Sequence, residues 1–258
     1  MKKLLLLIAS LFCASLSLVA PKAHAAITLS AATSSRNGQV GSTNSYTLVG
    51  SVNVPSGATL VATCMLFNVA GTSTVTNVSS TGGDTFTKII EATSSDFVSM
   101  WYATSSVANA SDKITCTWNN SAASANSHAV TFAVYNGAGG GIEAPSVGSS
   151  TSQAIPWRIP SSTTSFAGDV FVAQIEGQLS GTSLSIIPPA TNEAQPPSGN
   201  GVYADYGLGT TLSAGTYSIA ASSTVNPGHW IGGMFALIPT STPVSSILID
   251  PLILADSF

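Results

Sequence analysis

Of the 258 residues only 7% are charged and 44% are apolar, with a net charge of −4. Disordered chains are poor in apolar residues, so this composition excludes disorder. Seven Lys and Arg in the whole chain cannot neutralise a phosphate backbone or an anionic bilayer, which excludes nucleic-acid partners and electrostatic membrane binding.

Residues 1–25 read as a secretory signal peptide. Lys2 and Lys3 are the charged start, Leu4 to Val19 the apolar run, and Ala23-His24-Ala25 the small-x-small cleavage site. No later stretch has the roughly 20 apolar residues a membrane span needs. The mature chain then begins at Ala26 and is expected in an extracellular, cell-surface or periplasmic space. Lys2, Lys3 and Lys22 leave with the signal. Arg36, Lys88, Lys113 and Arg158 then face eleven acidic residues, a net charge near −7. Ser, Thr, Asn and Gly hold the places that Lys and Glu usually take, and such a surface repels its neighbours weakly. It suits packing against copies of the same chain or against uncharged glycan.

The apolar period is two almost throughout. It predicts strands at Tyr46–Val54, Thr59–Val69, Asp84–Glu91, Phe97–Ala103, Lys113–Trp118 and His128–Tyr135 in the first half. In the second half it predicts Asp169–Gln178, Ser183–Ile187, Val202–Tyr206, Thr216–Ala221 and His229–Ile238. Thr59–Val69 and Trp230–Ile238 are apolar on both parities, as strands covered on both faces are. Lys113–Trp118 alternates and should have one wet face. Phe97–Ala103 should be buried on both faces, or on one with the other used for binding. The fold class is therefore all-β, and the regular spacing of short strands reads as an antiparallel sandwich or a jelly roll. The alternative is two tandem Ig-like sandwiches divided in the Gly/Ser/Pro-rich stretch 137–156. The preferred organisation is a single domain over 26–239, because the second half alone offers about five strands, followed by a linker and tail over 240–258.

Cleavage leaves two cysteines. Cys116 shares its parity with Ile114 and Trp118, and Cys64 lies in the apolar run Leu60–Phe67, so a Cys64–Cys116 disulfide is expected. Beyond Pro239 the segment Ile247-Leu248-Ile249 and Leu252-Ile253-Leu254 is apolar. It must dock on its own sheet, on a membrane-associated partner or on a neighbouring copy, and it is the candidate assembly element.

The search for chemistry gives little. No Gly-x-Ser-x-Gly elbow is present, and the mature histidines, His128 and His229, each begin a strand. No catalytic residues, metal ligands or cofactors are expected. Calcium is the one ion the carboxylates and amides of 192–205, or Asp84 in its turn, would suit. Glu176 shares the parity of Val170, Val172 and Gln174, so it should face an apolar layer that raises its pKa; Asp169, Glu143 and Glu193 are its candidate partners in glycoside hydrolysis. Trp157, Tyr203 and Tyr206 fall in loop-like surroundings and are the candidate exposed aromatics for glycan binding, whereas Trp118 and Trp230 read as core. The three functions in order are a secreted, non-enzymatic structural or adhesive protein, a carbohydrate-binding module and a glycan-active hydrolase.

One resemblance spans most of the mature chain. Gly57-Ala-Thr-Leu-Val61, Gly82-Gly-Asp-Thr-Phe86, Met100-Trp-Tyr-Ala103, Ile114-Thr-Cys-Thr-Trp118 and Val134-Tyr-Asn-Gly137 resemble a β-sandwich module of secreted and phage-associated proteins. Ala167-Gly-Asp-Val-Phe-Val172 and Trp230-Ile-Gly-Gly-Met-Phe-Ala236 resemble its second half. The resemblance implies a jelly-roll-like sandwich; it rests on core and turn residues and carries no activity.

Overall fold

The structure is a computed structural model, and it describes residues 24–37, 44–67, 73–94, 96–105, 107–119, 127–150, 155–177, 184–195, 201–208, 212–223 and 229–241. The apolar segment 247–254 and the signal segment 1–23 lie outside the described residues. All pairing is antiparallel, and the described elements are all strands.

The first half supplies β1 (Thr28–Asn37), β2 (Ser45–Thr47), β3 (Val52–Val54), β4 (Thr59–Phe67) and β5 (Val75–Ser80). It continues with β6 (Thr87–Thr93), β7 (Phe97–Thr104), β8 (Asn109–Asp112), β9 (Ile114–Trp118) and β10 (Ser127–Asn136). They form one sheet in the order β1-β10-β4-β7-β6, facing a second of β2-β9-β5 with the short pair β3-β8 beside it. A first strand paired to the last, and a fourth beside them, is jelly-roll connectivity.

The second half repeats this arrangement strand for strand. Its elements are β11 (Gly141–Ser150), β12 (Trp157–Arg158), β13 (Ser162–Thr164), β14 (Val170–Gly177) and β15 (Leu184–Ile186). Then come β16 (Thr191–Ala194), β17 (Gly201–Tyr206), β18 (Gly215–Tyr217), β19 (Ala220–Ser223) and β20 (Trp230–Ile238). The sheets are β11-β20-β14-β17-β16, β12-β19-β15 and β13-β18, so each strand stands where the one ten places earlier stands in the first half. The correspondence reaches single hydrogen bonds. Leu48 N donates to Ile114 O at 2.8 Å, and Ile159 N to Ile219 O at 3.0 Å. Gly57 N donates to Ser105 O at 2.9 Å, and Gly168 N to Leu212 O at 2.8 Å. Gly57 and Gly168 precede β4 and β14 with φ of 78° and 88°, a conformation that favours glycine.

Three apolar layers hold the sheets together. Leu60, Ala62, Cys64 and Leu66 of β4 face the outer sheet of the first half with Cys116, Trp118, Phe132 and Val78. Val61, Met65 and Phe67 point the other way, into a layer shared with Val170 and Val172 of β14, Tyr203 of β17 and Ile231, Phe235 and Leu237 of β20. Phe171, Ala173 and Ile175 then meet Trp157, Leu184, Ile219 and Ala221 in the third layer. The two five-stranded sheets therefore pack face to face, each with its own outer sheet behind it. This explains why β4 and β14 are buried at every residue. Strand β7 is likewise buried on both faces through Phe97–Trp101, while β9 alternates with one wetter face.

The Cys64–Cys116 disulfide joins β4 to β9 with Cα atoms 6.0 Å apart. Its counterparts by register in the second half are Ile175 and Ala221, which lie together in the third layer. Several strands differ from the sequence expectation, among them β5 and β8, for which no strand was predicted, and Tyr46–Val54, which divides into β2 and β3. The Gly/Ser/Pro-rich stretch read as a candidate linker contains the ten-residue strand β11, bulged between Glu143 and Ser146. Strand β1 went unread because its Ser, Thr and Ala residues lack a strong apolar alternation. The second half has ten strands, not about five, because its outer ones are only two to four residues long.

Candidate functional site

The residues singled out for glycan binding are not exposed as expected. Trp157 and Tyr203 are 0% exposed. Trp157 stacks on Trp230 at 6.2 Å between centroids, and Tyr203 lies between the two five-stranded sheets. Both read as loop residues only because the covering sheets are distant in sequence. Tyr206 is half-buried, its ring edge-on to Tyr217 at 5.4 Å. Trp118 and Trp230 are in the core, as their parity indicates.

Glu176 does face an apolar layer. It is fully buried between the two five-stranded sheets, and neither carboxylate oxygen has a hydrogen-bond partner. Burial pushes its pKa well above the usual carboxylate range; the charge of Asp96 pushes the same way and that of Arg36 opposes. Its acidic neighbour is thus Asp96, in place of Asp169, Glu143 or Glu193. Asp96 Oδ2 in turn pairs with His229 Nε2 at 2.7 Å, and the Arg36 guanidinium lies 4.3 Å from the Phe67 ring centroid. Asp169 and Glu143 instead interact with each other; burial and that contact raise the Asp169 pKa to about 7.

The same layer carries two further polar contacts between the halves. Thr63 Oγ1 donates to Gln174 Oε1 at 3.1 Å, and the Tyr135 and Tyr203 hydroxyls are 2.9 Å apart. Asp205 lies on the same face of β17 as Tyr203. Burial, with the charge of Glu193 added, raises its pKa to about 7. The stretch considered for calcium therefore places this carboxylate in a core layer. Asp84 accepts from Ser80 Oγ at 3.4 Å, and among the described residues no group of three or more His, Cys, Asp or Glu is placed to hold a metal ion.

What lies on the outside is a hydroxyl-rich sheet face, with Lys113 next to Thr115 on the same parity. Register aligns Ser45, Thr117 and Asn77 in one row and Thr47, Thr115 and Ser79 in the next. Rows of this kind repeat about every 4.8 Å across strands and roughly 6.8 Å along them. Thr47 and Thr115 share a hydrogen bond of 2.8 Å, which fixes both rotamers. Ser51 and Ser111 extend the face onto β3 and β8. These side chains share the outward face because Val78, Ile114, Cys116 and Trp118 between them are buried and the disulfide ties the middle strand to the sheet beneath.

No family model, curated protein or solved structure matches the chain. Among the described residues no helix is long and apolar enough to cross a membrane, and the disulfide is compatible with an extracellular location.

Proposed function

We propose that the chain is an exported, non-enzymatic structural or adhesive protein of a cell surface or matrix. Its partners are copies of itself or uncharged glycan. The observation that carries this reading is the outer face of β2-β9-β5: six hydroxyl or amide side chains aligned by register in two rows, in a chain with 7% charge. Such a face has many short-range hydrogen-bonding groups and little long-range repulsion. The copies join through this face together with the apolar segment 247–254, because an apolar segment left in water favours association.

A carbohydrate-binding role is the second reading. With Trp157 and Tyr203 buried, the glycan would meet hydroxyls and amides rather than stacked rings. A hydrolase built on Glu176 has less support, since that carboxyl is sealed from solvent.

The test is light scattering with negative-stain imaging on residues 26–258 and on a chain ending at Pro239. Ordered assemblies from the longer chain alone support the proposal; clean monomers from both remove the assembly reading and leave glycan binding to be screened.

A further inference from the structure

Asp112, the last residue of β8, is 0% exposed, and its two carboxylate oxygens are treated very differently. Oδ1 accepts from the Thr81 hydroxyl at 2.7 Å, Gly82 N at 2.8 Å, Lys113 N at 2.9 Å and Asn109 Nδ2 at 3.3 Å. Oδ2 is buried and has no hydrogen-bond partner. A carboxylate can accept through both oxygens, and a buried one left bare is costly. The bare oxygen borders a small space in the turn between β5 and β6. A Cβ on Gly82 would stand there, 3.4 Å from Asp112 Oδ2, 3.2 Å from Asp84 Oδ2 and 3.4 Å from Asn109 Nδ2. Asp84 is itself buried, so two carboxylate oxygens from two separate elements border one space that a side chain on residue 82 would fill. The fold does not require this. By strand correspondence the second half closes the same turn with Pro188-Pro189, and it has no Asp or Glu over residues 184–190 or 212–219.

We infer that this space is a calcium site held by Asp84 and Asp112 at the Gly82-Gly83 turn. Two buried carboxylates facing one space repel each other, and a cation between them reverses the sign of that term. The donor set is hard oxygen, which suits calcium. Calcium takes its remaining oxygens from backbone carbonyls, amides and water, so two carboxylates are enough. The Asn109 amide presents its nitrogen to the space, and a half-turn would present its oxygen. The four donors on Asp112 Oδ1 keep Oδ2 turned to the ion, as hydrogen bonds behind a metal ligand do. Thr81 and Gly83 are exposed, so the turn is open to solvent. The site stands apart from the assembly reading and does not depend on it.

Calorimetric titration of calcium chloride into the EDTA-treated, full-length mature chain tests it, together with thermal unfolding in about 10 mM calcium chloride. The expected result is one ion per chain with a dissociation constant of about 0.1–1 mM, the range of extracellular modules. The unfolding midpoint should rise by about 3 °C or more. Asp112→Asn keeps Oδ1 for its four donors and should abolish both signals, as should Asp84→Asn. Gly82→Ala, which puts a methyl group in the space, should weaken binding about tenfold or more. No heat and no shift from the wild-type chain would overturn the proposal, however the variants behave. An equal shift in wild type and both Asp variants would overturn it too, by placing the ion elsewhere. So would an equal response to magnesium chloride at the same ionic strength.

Discussion

The ionisable side chains of this chain are few, and several are held away from their ordinary protonation. Burial raises Asp205 to about 7, and burial with the neighbouring Glu143 raises Asp169 to about 7. Glu176 lies well above its ordinary value. Each binds a proton in the folded state that the unfolded chain releases near pH 4, so each makes folding less favourable as pH rises from about 4 to about 7. His128, stacked on Trp118 at 4.6 Å, has the opposite effect. Burial lowers it to about 4, so it adds stability as pH rises from 4 to its ordinary 6.5. Above pH 6.5 only the acids still act. Thermal unfolding followed by circular dichroism should therefore give a lower midpoint at pH 8 than at pH 6.5, and Asp205→Asn should reduce that fall. A midpoint that rises over this interval would contradict the burial of these groups. Some of this was legible in the sequence. The parity of Glu176 with Val170 and Val172 gave its direction, and that of Cys116 with Ile114 and Trp118 gave the disulfide. Trp157 and Tyr203 were not, because parity tells which residues share a face and not whether another sheet covers it.

At the level of strands, one position is met by two different solutions. The link between the inner and outer sheets is a disulfide in the first half and the apolar pair Ile175 and Ala221 in the second. Closing the loop from Cys64 to Cys116, a separation of 52 residues, is worth about 4 kcal/mol in the chain-entropy account. Cys64→Ala with Cys116→Ala should lower the unfolding free energy by roughly that amount in a urea titration, with native circular dichroism retained before the transition. Strand β20 carries two glycines at its buried centre, Gly232 against Ile175 and Ile159 of its own half and Gly233 against the other half. A Cβ on Gly233 would lie 2.9 Å from Ile90 Cγ2, across the gap between the two five-stranded sheets. Glycine lets those sheets approach. Gly233→Val should destabilise by about 1–3 kcal/mol through overpacking, measured by the same titration; an unchanged midpoint would mean the sheets are not in close contact there. The burial of Trp230–Ile238 on both faces was legible in its apolar run; the need for glycine at 233 was not, since its cause lies in strand β6 of the other half.

On the scale of the molecule, two jelly rolls of ten strands are set back to back, their outer sheets turned to solvent. The all-β class followed from the period-two pattern, and jelly-roll-like connectivity from the resemblance carried by core and turn residues such as Gly57–Val61 and Gly82–Phe86. The duplication did not, because the halves share hydrogen-bond pattern and topology while their side chains differ: Cys64 corresponds to Ile175, Thr63 to Gln174, Tyr46 to Trp157. Outer strands as short as Trp157–Arg158 are below the length at which alternation can be read. The arrangement leaves the molecule's chemistry inside and presents hydroxyls outside. The most direct measurement of the proposed role is a concentration series by light scattering on the mature chain and on its Thr115→Lys, Thr117→Lys variant. Both residues lie on the wetter face of β9, so the variant should stay folded, with at most a small fall in unfolding midpoint from the lost Thr47–Thr115 hydrogen bond. The account predicts that the wild-type chain assembles and that the variant, with two added positive charges on this face, stays monomeric. Equal assembly by both, or monomers from both at every concentration, would contradict it.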